Sequence, residues 1–156
     1  MFVPELQLNK FILDSNLVSR ADLDKATEEA EKKGVKTADI LVNSGKITED
    51  NLRRMQAYVL GIPFVDLKSR KIPFETLSMI PEPVARNHNI VAFKKTDETL
   101  EVAMLDVDDL SAIDFVKKKV KLKILSRLTD AESLKSAIVQ YQKSLKAEFG
   151  DIIQKE

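Results

Sequence analysis

At 156 residues, 44% hydrophobic and 32% charged, the chain is long enough for one domain or two small ones. It can bury a core without staples and is too apolar to be disordered. Its 25 Lys plus Arg balance 25 Asp plus Glu, and with no Cys, one His and four Gly the composition argues against a duplex-DNA binder, disulfides, thiolate chemistry, multi-histidine metal sites and a glycine-rich phosphate loop. No apolar run approaches the ~18 residues of a membrane-spanning helix, the first residues lack a signal-peptide pattern, and a cytoplasmic location is expected.

In chain order, the first feature is a repeat at a shift of 29 residues. Ile12-Leu13 falls on Leu41-Val42, Asn16 on Gly45, Val18 on Ile47, Ser19 on Thr48, Asp22 on Asn51, Leu23 on Leu52 and Lys25 on Arg54. Each copy predicts helix, turn, helix. Asn16 and Gly45 suit the left-handed residue that ends a helix. Ser19 and Thr48 suit the N-cap of the next, with Asp22 and Asn51 in a weakened capping box. Leu52, Met55 and Val59 recur at helical spacing in the second copy, as Leu23, Ala26, Thr27 and Ala30 do in the first. Residues 1–60 are thus expected to form a four-helix subdomain. Mutual burial of the apolar stripes is enough to explain such a repeat. A DNA-reading helix–turn–helix is disfavoured, because this segment holds nine Lys or Arg against ten Asp or Glu.

Gly61-Ile62-Pro63 ends the helical pattern. Residues 61–146 are expected to form a second, α/β subdomain. Phe64–Leu67 reads as a short strand, and two proline-punctuated helical turns follow at Phe74–Ile80 and Glu82–Asn87, with Pro73, Pro81 and Pro83 at boundary or first-turn positions. Ile90–Lys95 and Leu100–Leu105 read as a hairpin closed by Thr96-Asp97-Glu98, with Leu100, Val102 and Met104 in period-2 alternation. Asp106 or Asp108 is expected to cap a helix whose apolar face holds Leu110, Ile113, Val116 and Val120. Leu122–Leu125 reads as a third strand. Thr129 with Glu132 spells a capping box, and Leu134, Ala137, Ile138, Tyr141 and Leu145 form the stripe of the last helix. Residues 147–156 read as a tail or linker. The class is α+β: a four-helix unit from two helix–turn–helix repeats, then a small mixed α/β domain in the order strand, strand, helix, strand, helix.

Catalytic and metal signatures fail on inspection. Gly45-Lys46 is followed by Ile47 and preceded at five residues by Ile40, so a G-x-x-x-x-G-K-[ST] loop fails twice. A calcium loop starting at Asp106 would need Gly and Glu where Ser111 and Lys117 stand. The aspartates at 106, 108 and 109 are read as helix caps and dipole partners, and His88 as a surface or boundary residue with no partner set. Lys117, Lys118, Lys119, Lys121 and Lys123 are read as a solvated helix end, with an anionic lipid or acidic partner as the functional alternative. No nucleophile–base pair is evident, so the chain is expected to be non-catalytic.

Several separated segments carry a resemblance. Ile40-Leu41-Val42-Asn43-Ser44-Gly45-Lys46-Ile47-Thr48-Glu49-Asp50-Asn51-Leu52, then Gly61-Ile62-Pro63-Phe64-Val65-Asp66-Leu67, Ile80-Pro81-Glu82-Pro83-Val84-Ala85-Arg86 and Val102-Ala103-Met104-Leu105-Asp106 follow one another as in the N-terminal domain of type II secretion and type IV pilus assembly ATPases. The resemblance covers about residues 6–145. It implies a docking and regulatory domain ahead of a hexameric motor at the bacterial inner membrane. The implied partners are the cytoplasmic domain of a membrane platform protein and the chain's own C-terminal ATPase domain, with no nucleic acid and no direct membrane span. The chain would then be cytoplasmic and peripheral to the inner membrane through those partners. A stand-alone adaptor without a motor is the further alternative.

In a subset of that family the two repeats bind cyclic di-GMP, each through an Arg-Leu-Gly start, an apolar pair, a Gly and a closing Gln. The corresponding first-copy positions here are Gln7, Leu8 and Asn9, with Ile12 in the apolar pair, Asn16 at the Gly and Ala30 at the Gln. In the second copy they are Lys36, Thr37 and Ala38, the pair Leu41-Val42, Gly45 retained, and Val59. The implied cyclic-dinucleotide residues are therefore Gln7, Leu8, Ile12, Lys36, Leu41, Val42 and Gly45. Losing both Arg and both Gln positions removes most specific donors, because Lys36 cannot offer bidentate geometry. The repeat is thus expected to serve as scaffold or protein interface, with no cofactor required and cyclic di-GMP as the alternative ligand.

Overall fold

The computed structural model describes the backbone of residues 1–154 and the side chains of residues 1–144. The chain is α+β and divides into two compact units, Phe2–Phe64 and Val65–Glu156 together with Met1.

The first unit is the duplicated helix pair. Its helices are α1 (Glu5–Asp14), α2 (Arg20–Lys33), α3 (Thr37–Asn43) and α4 (Glu49–Leu60). The turn chemistry follows the shift of 29. Asn16 and Gly45 adopt φ of 61° and 76°. The Ser19 hydroxyl accepts from the Asp22 amide at 3.1 Å, and the Thr48 hydroxyl from the Asn51 amide at 3.0 Å. Each cap satisfies one orphan donor of a helix start. The copies then exchange partners: α1 packs on α4 and α2 on α3. That reciprocity is what two equivalent halves produce when neither can bury its own stripe. Ile12 and Leu41, one shift apart, are both fully buried, each contributing about 1.5–3 kcal/mol by transfer from water.

The second unit runs α5 (Phe74–Leu77), α6 (Glu82–His88), β1 (Ile90–Lys95), β2 (Thr99–Met104), α7 (Leu110–Lys119), β3 (Lys123–Leu128) and α8 (Ala131–Gln154). The sheet order is β1-β2-β3, with β2 antiparallel to β1 and parallel to β3. A mixed sheet follows because a tight turn joins β1 to β2, whereas α7 supplies the crossover that a parallel pair requires. Val102, Ala103 and Met104 of the central strand are buried in succession, so both faces are covered at that end. Phe93 is an extra residue on β1, between the pairs Ala92↔Val102 and Lys94↔Glu101. Pro81 precedes α6 and Pro83 sits in its first turn, where a missing amide costs nothing.

Several expected details shift, each for a local reason. Phe64–Leu67 forms no strand beyond an isolated bridge at Phe64: Val65 donates to the Leu128 carbonyl at 2.9 Å, yet the Leu67 amide is taken by the Ser133 hydroxyl at 3.0 Å. The cap of α7 is Asp109 rather than Asp106 or Asp108: it stands immediately before the helix and accepts from the Ala112 amide at 3.1 Å, whereas Asp106 accepts from the Asp108 amide at 2.9 Å. Leu110 then opens the helix on its outer side, 68% exposed, while Ala112 and Val116 are buried. Thr129 does not cap α8. Its amide extends the ladder to Met104 and its hydroxyl donates to the Val65 carbonyl at 2.7 Å, so Asp130 caps instead, accepting from the Ser133 amide at 2.7 Å. The third strand runs on to Leu128 for as long as it stays in register with β2. The backbone of residues 147–154, expected as a tail or linker, continues α8 as far as Gln154. Leu145 lies outside the described residues.

Candidate functional site

The first unit distributes its seven candidate residues by the same duplication. Leu8, Ile12 and Leu41 are buried at 4%, 0% and 1% exposure and fill the interior of the unit. Gln7 and Lys36, equivalent under the shift, are both exposed, and Val42 is half-buried. Gly45 is exposed, and a Cβ built there would meet nothing within 4 Å. Its glycine is explained by its φ of 76° rather than by a need for close approach.

Only Leu8 and Lys36 of the seven meet around one cavity. It measures about 130 Å³ and is also lined by Val3, Glu5, Asn9, Asp39 and Gln56. Asn9 Oδ1 and Gln56 Oε1 are buried there without a hydrogen-bond partner. The Glu5 carboxylate accepts from the Thr37 hydroxyl at 3.3 Å and from the Thr37 amide at 3.4 Å. It thereby fills the start of α3, where the N-cap Lys36 makes no side-chain cap. Val42 lines a neighbouring open groove with Leu52 and Arg53. Gln7, Ile12, Leu41 and Gly45 line neither space.

These dimensions decide what the cavity can do. Sites that enclose small organic ligands usually occupy about 300–1,000 Å³, so 130 Å³ admits a side chain or a few waters but encloses no dinucleotide. Its ionisable lining is Glu5, Asp39 and Lys36, two anions to one cation, which opposes a phosphate. Glu5, Asn9 and Gln56 were missed by sequence reasoning. Only the packing of α1 on α4 brings them together, and no local spacing signals it.

In the second unit, His88 does have a partner: its Nδ1 lies 3.3 Å from Asp109 Oδ2, so one aspartate both caps α7 and faces the histidine. Lys117, Lys118 and Lys119 form the last turn of α7, where the helix dipole favours cations. Lys119 Nζ sits 5.6 Å from the Phe115 ring centroid. The Tyr141 hydroxyl is buried and donates between the Leu77 and Ile80 carbonyls at 2.9 and 2.6 Å. Burial pushes its ionisation upward, with the Glu82 charge adding to the effect. Among the described residues, no cluster of three or more His, Asp or Glu could hold a metal ion, and no helix is long and apolar enough to cross a membrane.

Comparison with known proteins places this geometry. The MshEN domain profile matches residues 60–148. The type IV pilus assembly ATPase PilB of Myxococcus xanthus is 28% identical over 147 residues, which is 94% of this chain and 26% of that protein. PilB of Thermus thermophilus is 25% identical over 117 residues, 74% of this chain and 13% of the relative. The chain therefore spans only a minor part of either relative's length. Among solved structures, MshE with cdg superposes with a TM-score of 0.68 at 23% identity, covering 86% of this chain and 97% of that one. The N-terminal domain of XpsE superposes with a TM-score of 0.58 at 20% identity, covering 90% and 96%. The matched profile covers more than half the residues, and the chain belongs to the MshEN domain family, as an N-terminal domain of the kind carried by type II secretion and type IV pilus assembly ATPases.

Proposed function

We propose that this chain is the non-catalytic docking and regulatory domain of a bacterial pilus or secretion assembly ATPase, coupling a motor elsewhere in the protein to an inner-membrane platform protein. The observation that carries the reading is the likeness to PilB over 94% of this chain and only 26% of that protein. The chain works in the cytoplasm and reaches the membrane through its partner. The first unit offers the apolar side chains a docking surface needs: Leu6 on α1 is 86% exposed and Tyr58 on α4 is 72% exposed, with Tyr58 stacked on Phe11 at 4.7 Å. Aromatic anchors of this kind concentrate binding energy. The test is calorimetric titration of the chain with the soluble cytoplasmic domain of the platform protein from the same bacterium. Binding weakened at least ~10-fold by Leu6→Glu with Tyr58→Glu supports the reading, and no heat of binding refutes it.

A second reading, sensing of cyclic di-GMP, is favoured by the fold likeness to MshE with cdg and by the left-handed turns kept at Asn16 and Gly45. Gln7, Leu8, Ile12, Lys36, Leu41, Val42 and Gly45 would then line the ligand. The small, net acidic cavity weighs against it, and the scaffold role remains our reading. Titration with cyclic di-GMP decides: micromolar binding lost on Lys36→Ala would replace the scaffold role.

A further inference from the structure

An open groove of about 540 Å³ lies wholly within the second unit, between residues 68–72 and α8. Among the described residues its ionisable lining is Lys68, Arg70, Lys71 and Lys143, with no carboxylate. In a chain of zero net charge, that is a local segregation of one sign. Lys68 is already matched, lying 3.1 Å from Asp130 and 3.6 Å from Asp66. Arg70, Lys71 and Lys143 carry the remaining positive charge. Ile72 and Val139 supply apolar lining.

The segment presenting these cations is fixed rather than loose. Ser136 donates to the Lys68 carbonyl at 3.1 Å. Gln140 clamps the backbone twice: its Nε2 donates to the Arg70 carbonyl at 2.8 Å, and its Oε1 accepts from the Ile72 amide at 2.8 Å. The Arg70 guanidinium rests over the Phe93 ring, 5.0 Å from its centroid. The backbone that carries these cations is therefore ordered before any ligand arrives.

From this groove we infer a binding site for a phosphate-bearing ligand. Among the described residues no anion pairs with Arg70, Lys71 or Lys143, and three such cations suit more than the single charge of a carboxylate. A guanidinium and two lysines lining one space suit tetrahedral oxyanions. The volume lies within the usual range for small organic ligands, and the apolar lining can take the ligand's organic part. The site is separate from the repeat in the first unit and does not rest on the docking role.

The test uses the 156-residue chain at low salt with three probes: pyrophosphate, vesicles of phosphatidylglycerol in phosphatidylcholine, and a short polyglutamate peptide. Two variants are compared, Lys71→Ala with Lys143→Ala, which leaves the Arg70–Phe93 contact intact, and Lys117→Ala with Lys118→Ala on the exposed end of α7. Pyrophosphate binding that drops at least ~10-fold in the first variant and less than ~2-fold in the second supports a soluble phosphate ligand. The same contrast on vesicles alone also supports the inference and assigns the phosphate to a lipid headgroup. Equal losses in both variants overturn it, as do binding of neither phosphate probe and binding of polyglutamate alone. An unchanged thermal midpoint confirms that the first variant is folded.

Discussion

Glu5 Oε1 lies 3.3 Å from the hydroxyl and 3.4 Å from the amide nitrogen of Thr37, so the first residue of α1 caps the first turn of α3. The residue in the N-cap position is Lys36, which has no acceptor to offer, and a carboxylate there also meets the positive end of the helix dipole. The two bonds are long, which places the contribution at the lower end of the capping range. Glu5→Ala is expected to cost about 0.5–1 kcal/mol, and Glu5→Gln less, because the amide oxygen still accepts. Urea unfolding measures both; a Glu5→Ala midpoint equal to the parent's would remove the latch.

This latch also shows what the sequence hides. The caps at Ser19 and Thr48 and the turns at Asn16 and Gly45 were legible because a cap or left-handed turn is written in three or four consecutive residues. The β1–β2 hairpin was legible from the short polar turn between two apolar runs. Thr129 and Asp106 were misassigned as caps. The Thr129 hydroxyl is claimed by a group a local pattern cannot name, the Val65 carbonyl 64 positions earlier, whereas Asp106 closes a local turn on the Asp108 amide that competes with capping. The cavity beside Lys36 gathers Glu5, Asn9 and Gln56 from two other helices, and the basic groove joins Arg70 to Lys143. Both are products of packing, which the sequence specifies without displaying.

The reciprocal packing of α1 on α4 and α2 on α3 makes a prediction about cooperativity. Ile12 and Leu41 occupy equivalent positions and are buried to 0% and 1%. Ile12→Ala and Leu41→Ala should each cost about 2–5 kcal/mol, with similar values, since each leaves a hole in the same kind of interface. Neither copy should unfold alone. Hydrogen exchange in the Ile12→Ala variant should lose protection in α2 and α3 as well as α1 and α4, and protection confined to one copy would falsify the exchange of partners.

Asn16 and Gly45 allow the duplication to be tested against itself. Both adopt positive φ, 61° and 76°, but only one is glycine. A side chain at such a backbone costs about 1–2 kcal/mol, less for Asn, whose short polar group tolerates it. Gly45→Ala is therefore expected to destabilise by about 1 kcal/mol, although open space surrounds a Cβ there. Asn16→Gly should be neutral or slightly stabilising. Thermal midpoints of the two variants should move in opposite directions or differ clearly in size. A midpoint for Gly45→Ala above the parent's would show that the turn can relax.

Tyr141 supplies the pH dependence. Its hydroxyl, donating to Leu77 and Ile80, must lose its proton to ionise, and burial in the fold opposes that. Unfolded tyrosine ionises near pH ~10, whereas the folded residue holds its proton to higher pH. Between the two the folded state binds more protons, so stability is fully present below pH ~10 and falls as pH rises beyond it. Tyr141→Phe removes both bonds and should cost about 1–3 kcal/mol at neutral pH. The lower part of that range is expected, because the Leu77 carbonyl keeps a bond from the Ile80 amide at 3.3 Å. The same variant should flatten the alkaline decline. Urea midpoints at pH ~8 and ~11 measure the difference: the gap between parent and Tyr141→Phe should narrow at the higher pH, and a constant gap would mean that the hydroxyl ionises in the fold as it does in the unfolded chain.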